Sequence, residues 1–165
     1  MNRKLAEAAR LEAISCFHGN VMGTKANLEP IISSFPIRDM RKWDNRWCAA
    51  FVYYCCIKAG IELPIKHPDQ AVSCNFSGCI AWKQWAQLPD YDFWHEGDEI
   101  DFVPEPGDII MFDYVLEGMI LDHMGIILEN NDHVILVAEG NFNNVSAIVQ
   151  RNKDKHIRGF IRLFD

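Results

Sequence analysis

Residues 46–60, RWCAAFVYYCCIKAG, hold three of the chain's six cysteines. A thiol can act as a nucleophile, a metal ligand or a small apolar core residue, and its position separates these uses. Cys48 stands at the start of a helical pattern, where unpaired amides and peptide dipoles favour an anion, and the thiolate is the reactive form. Cys55 lies close to two turns further on, on the apolar face, and with Cys56 it reads as packing. Cys48 is therefore the candidate nucleophile.

A nucleophilic thiol needs a base within hydrogen-bond reach and a third group to orient that base. Six histidines compete for the role. His123 opens one strand pattern, DHMGIILE, and the next finishes in VAEGN, which brings Glu139 and Asn141 to the same end of a hairpin. A three-residue loop of Asn130, Asn131 and Asp132 would set His123 opposite Glu139 on one face. A two-residue loop would throw Glu139 to the other face, so the arrangement requires an odd count. In that register Met124, Ile126 and Leu128 meet Ala138, Leu136 and Val134 as an apolar face, and Gly125 leaves room beside His123 for a substrate or for the helix of Cys48. A metal site is the competing reading. Cys74 and Cys79, with His67, Cys55 and Cys56 near in sequence, supply one convincing ligand pair where structural zinc uses two.

The elements that must position these groups follow from periodicity. Residues 3–17 read as a helix with Leu5, Ala9, Ala13 and Cys16 along one stripe and Gly19 as its stop. Residues 47–59 form the second, with Phe51, Val52, Cys55 and Ala59 on one face and Gly60 free to adopt the left-handed closing conformation. A third spans 77–87, where Trp82 and Trp85 read as core or rim packing. VPEPGD is a turn signal leading into the apolar run DIIMFDY. Strand patterns follow at 123–129, 133–139, 145–151 and 157–164. Helices first and about five strands afterwards give an α+β fold, with the helices packed on an antiparallel sheet.

Composition excludes several function classes. The chain has 165 residues, 49% of them hydrophobic, enough for a single core. A formal charge of −7, with no run of Lys and Arg, argues against nucleic acid as a partner. No stretch approaches the apolar length of a membrane span, and MNRKLAEAARLEAISC lacks the apolar centre of a signal peptide. The expectation is a protein that is cytoplasmic as synthesised, with its cysteines mostly reduced.

Taken together, WCAAFVYYCCIKAG, PEPGDIIMFD, DHMGIILE, AEGN and IRGFIRL resemble, in order and spacing, the CHAP family: the cysteine- and histidine-dependent amidohydrolases/peptidases of the wider papain-like and NlpC-like group. The resemblance runs from about Trp43 to Leu163. It implies a minimal papain-like fold over residues 41–165, with residues 1–40 as a helical extension that either packs on the domain or lids the cleft. It implies Cys48 as nucleophile, His123 as general base and then acid, Glu139 as the orienting group and Asn141 as a further polarising residue. The expected reaction is amide hydrolysis in peptidoglycan through a thioester acyl-enzyme, without metal or cofactor. The Cys48 amide and Asn45 are candidate oxyanion donors, with Trp47 on the same substrate side. Family enzymes commonly carry a signal peptide or a wall-binding repeat, and neither is seen here. A wall substrate would then be met through lysis or a dedicated export route. An amidase of a small soluble amide or peptide, and an inactive binding module, are the alternatives.

Overall fold

The computed structural model describes residues 2–21, 23–36, 42–64, 71–116 and 118–163. His67, one of the metal candidates, lies outside the described residues. The helices are α1 (Asn2–Ala13), α2 (Glu29–Ile32), α3 (Cys48–Lys58) and α4 (Cys79–Ala86), and all precede the strands. The strands are β1 (Trp94–Glu96), β2 (Ile109–Phe112), β3 (His123–Asn130), β4 (Val134–Phe142), β5 (Val145–Asn152) and β6 (Ile157–Ile161). They pair antiparallel in the order β1-β6-β2-β3-β4-β5, so the fold is α+β, as expected.

Among the described residues there are six strands rather than about five. The additional one, β1, is three residues long and borders only β6, too short to show an alternating pattern. α1 ends four residues before the expected Phe17, and Cys16 beyond it takes a left-handed backbone (φ 57°). α3 closes as its sequence predicts. Gly60 has φ 77°, its amide donates to the Ile57 carbonyl at 3.0 Å, and the Ile61 amide donates to Cys56 at 2.9 Å, the paired bonds of a Schellman end.

Two apolar clusters sandwich the sheet. Leu5 and Ala9 of α1, Phe51 and Val52 of α3, and Trp82 of α4 pack with Met124, Ile126 and Ala138 on one face. Ile110, Phe112, Ile127, Ile135, Val137 and Phe160 occupy the other. The PGD turn joins the N-terminal helix to the sheet. Gly107 has φ 97°, and an added Cβ would collide with the backbone of Asn2. The fully buried Asp108 accepts from Arg162 Nε at 3.0 Å and Nη2 at 2.6 Å, tying the turn to the end of the chain.

The β3–β4 register corrects the expected loop. The Asn131 amide donates to the Val134 carbonyl at 3.0 Å, so the turn is the two-residue Asp132–His133, an even count. Parity is restored by a bulge between Ile127 and Glu129, after which Ile127 pairs with Val137 and Ile126 with Ala138. Extending this register brings Gly125 opposite Glu139 and His123 opposite Asn141. His123 and Glu139 thus share a face as diagonal neighbours, not as a direct pair. Of the expected apolar face, Met124, Ile126, Leu128, Ala138 and the half-buried Leu136 pack together, while Val134 is not among them.

Candidate active site

α3 begins at Cys48 itself, with Trp47 at the cap position and no side chain bonded to the first-turn amides. That leaves helix-start donors open to an anion. Cys48 is 7% exposed, while His123 and Glu139 are completely buried. His123 Nε2 lies 2.8 Å from Glu139 Oε2. An ionised carboxylate can only accept, so Nε2 carries the proton and Nδ1 is left as the basic nitrogen. Nδ1 is buried and makes no hydrogen bond among the described residues.

The charge balance around these groups favours an ion pair. Cys48 is held well below the ordinary thiol range by its hydrogen bond with Cys79 first, against the opposing effect of burial, and further by the nearby charge of His123 and by the Ala49 amide. Burial works against a charged His123, but its interactions with Cys48 and Glu139 overcome this and raise it to about 9. Burial likewise opposes ionisation of Glu139, and hydrogen bonds from Arg151 and His123 outweigh it, keeping the carboxyl below its ordinary value. These directions favour a thiolate at Cys48 paired with an imidazolium at His123.

The sequence reading did not anticipate the partner of Cys79. It is the first residue of α4, and its sulfur lies 3.7 Å from that of Cys48, so two helix starts converge on one pair of thiols. Within the pair, Cys79 is pushed up by the hydrogen bond to Cys48 and by burial, and Cys48 is the member that ionises. The Cys74/Cys79 pair weighed for zinc is therefore engaged differently, through Cys79 with Cys48. All six cysteines are free thiols. Cys55 and Cys56 are completely buried, and burial raises both.

Reactivity toward iodoacetamide follows. At about pH 6 Cys48 should be carboxamidomethylated first, ahead of the exposed Cys16, whose environment supplies no such hydrogen bonds to a thiolate. Cys55 and Cys56 should react last. Peptide mapping over time checks the order, and early label on Cys55 or Cys79 would contradict the assignment of charge.

The remaining expected residues occupy distinct places. Asn141 is buried with a left-handed backbone (φ 70°), and its Oδ1 has no hydrogen-bond partner among the described residues. Together with Asn45, Leu116 and Asn143 it lines a groove of about 170 Å³. Trp47 is fully buried, and its indole N–H donates to Asn144 Oδ1 at 3.0 Å, so it supports the loop from beneath. A larger surface cavity of about 620 Å³, between Glu96, Asp113 and Arg158, contains none of these residues, and neither cavity is lined by Cys48, His123 or Glu139.

Two contributors were missed from sequence. Asn144, at the β4–β5 turn with φ 64°, accepts from the Asn45 amide at 3.2 Å and donates to Asp44 Oδ1 at 2.7 Å and the Asn20 carbonyl at 3.2 Å. It ties the loop before Cys48 to the sheet and to the N-terminal segment. Arg151 of β5 grips Glu139, with Nε to Oε1 at 2.7 Å and Nη2 to Oε2 at 2.6 Å. A turn-forming asparagine pair was a visible signal for the first. The second had none, because a bulge between Glu139 and Phe142 decides which face Arg151 joins.

No three His, Cys, Asp or Glu side chains gather as a metal site among the described residues, and no helix there is long and apolar enough to cross a membrane. A family model of the CHAP domain matches residues 40–141. That stretch takes in Cys48, His123, Glu139 and Asn141, and leaves out α1 and β5. No curated protein matches the chain.

Proposed function

The chain belongs to the CHAP domain family, whose members generally act as amidases or peptidases on peptidoglycan, and from this premise we propose that it is a cysteine amidohydrolase cleaving an amide bond of the bacterial wall. The observation that carries the reading is the row formed by an uncapped helix-start thiol, a histidine with a free basic nitrogen and a buried carboxylate bonded to its other nitrogen.

In this mechanism the Cys48 thiolate attacks the substrate carbonyl, forming a C–S bond while the carbonyl electrons move onto oxygen. The Cys48 amide, with no side chain capping that helix start, is positioned to stabilise the oxyanion, and the Asn45 side chain is the proposed second donor. As the C–N bond breaks, the imidazolium of His123 gives its proton to the departing amine, leaving a thioester. Water, deprotonated by the now neutral His123, then attacks the thioester carbonyl; the C–S bond breaks, which releases the acid and restores the thiolate–imidazolium pair. Glu139 stays ionised throughout and keeps the ring oriented.

Digestion of purified peptidoglycan, with mass spectrometry of the released ends, tests the proposal and identifies the bond. New amine and carboxyl termini in equal amounts are expected. An undigested wall with a correctly folded protein would overturn the wall substrate.

The pH profile should carry the signature of the pair. A His123 raised to about 9 keeps its proton through neutrality and loses it only on approaching that value, so kcat/KM should fall there as the general acid disappears. On the acid side Cys48, held low, should remain ionised below neutral pH. An activity that rises only above pH 8, as an ordinary thiol ionises, would contradict the ion pair.

A further inference from the structure

We propose that Arg151 is a positioning residue of this reaction, its guanidinium fork fixing the orientation and charge of Glu139 so that the carboxylate can hold the His123 ring toward Cys48. The inference rests on the reading of Cys48, His123 and Glu139 as the reacting set. It extends that set to a residue on β5, beyond the stretch that the family match covers.

The geometry is specific to arginine. Each carboxylate oxygen of Glu139 receives its own guanidinium donor, and Oε2 also accepts from His123 Nε2 at 2.8 Å. A planar fork fixes the plane of the carboxylate, and with it the direction in which Oε2 meets the ring; an ammonium would supply charge without that plane. The guanidinium is itself held, 5.1 Å from the Phe112 ring centre and 5.6 Å from that of Phe142. Phe112 in turn stacks against His123, with ring centres 6.0 Å apart. Arginine, phenyl ring, imidazole and carboxylate therefore locate one another.

Charge gives the second argument. A completely buried carboxylate tends to take up a proton, and a neutral Glu139 would no longer support an imidazolium. The groups acting on Glu139 are Arg151 from β5 and His123 from β3. Those acting on His123 are Glu139 from β4 and Cys48 from α3, itself in contact with Cys79 of α4. Asp122 acts on Cys79, at one remove. Arg151 is thus the cation that keeps Glu139 charged when the ring is neutral.

The test is the pH dependence of Cys48 carboxymethylation in the full chain, which needs no substrate. Arg151→Met should displace the acid limb upward by about one pH unit or more, with at least a tenfold slower reaction near pH 6 that recovers at higher pH. Arg151→Lys, which keeps the cation and much of the volume, should fall between the two. Adding Arg151→Met to Glu139→Gln should displace the limb no further, since the arginine acts through the carboxylate. A uniform slowing at all pH values, with a lowered melting temperature and an unmoved limb, would overturn the proposal and leave Arg151 a structural residue; if the methionine variant does not fold, a folded Arg151→Lys protein with an unmoved limb would overturn it equally. A displaced limb with intact peptidoglycan would sink the substrate reading alone. A Cys48 that alkylates like an ordinary thiol in the unaltered protein would sink both.

Discussion

Replacing Cys48 with alanine is expected to abolish amide hydrolysis, by about 10⁴-fold or more, while leaving the melting temperature within a few degrees of the parent. The loss is large because in the proposed mechanism the sulfur is the atom that forms the bond, and neither His123 nor the helix start can act on a carbonyl without it. The fold should tolerate the change because a thiol and a methyl group differ little in volume and Cys48 stands at the first turn of α3, not in its middle. Removing it also frees Cys79 from its sulfur contact, so alkylation of Cys79 in this variant reports the thiol in isolation. End-group release from peptidoglycan and a circular-dichroism melt measure the two halves of the expectation. Retained turnover would remove Cys48 from the mechanism, and a collapsed melt would make the activity loss uninformative.

The second large effect is expected at Gly140, between Glu139 and Asn141. An added Cβ would overlap the Cβ of Phe51 and lie 2.7 Å from its Cγ and 2.8 Å from Trp47 Cζ3, both in fully buried rings. Neither ring can retreat without moving α3, so Gly140→Ala should cost about 1–3 kcal/mol and lower the melting temperature by roughly 2–12 °C. The displacement would be transmitted to Cys48 on one side and Glu139 on the other, where an ångström can cost about 100-fold in rate. The sequence reading placed the close approach at Gly125. In the structure a Cβ added at Gly125 would instead lie 2.5 Å from Val137 Cγ1 and 3.0 Å from Glu139 Cγ, within the sheet, and it is Gly140 that admits the helix. A Gly140→Ala protein with unchanged melting and turnover would show that α3 and β4 are packed less tightly than these contacts require.

The contrast between what was legible and what was not has a physical pattern. The extent of α3, its glycine end and the packing role of Trp82 and Trp85 were readable, because helical periodicity and capping chemistry are local. The meeting of His123 with Glu139 was reached with the wrong loop. It required an odd offset, and an even turn plus one bulged residue gives the same parity. Arg151 was invisible for the matching reason. Without the irregularity at Glu139–Phe142, a two-residue turn at Asn143–Asn144 would turn Arg151 to the surface away from Glu139. Cys79 could not be linked to Cys48 from its own neighbourhood, since nothing local orients one helix start against another. Bulges and helix docking are set by tertiary packing, and a single sequence carries little signal for them.

The bulged residue near Leu128 also determines which kinds of genetic change this protein can absorb. Many substitutions there would alter one contact. Loss or gain of a single codon in the same hairpin would reverse which surface every later side chain occupies, turning Glu139 away from His123 while leaving composition almost untouched. Natural variation in the length of this hairpin should therefore come in steps of two.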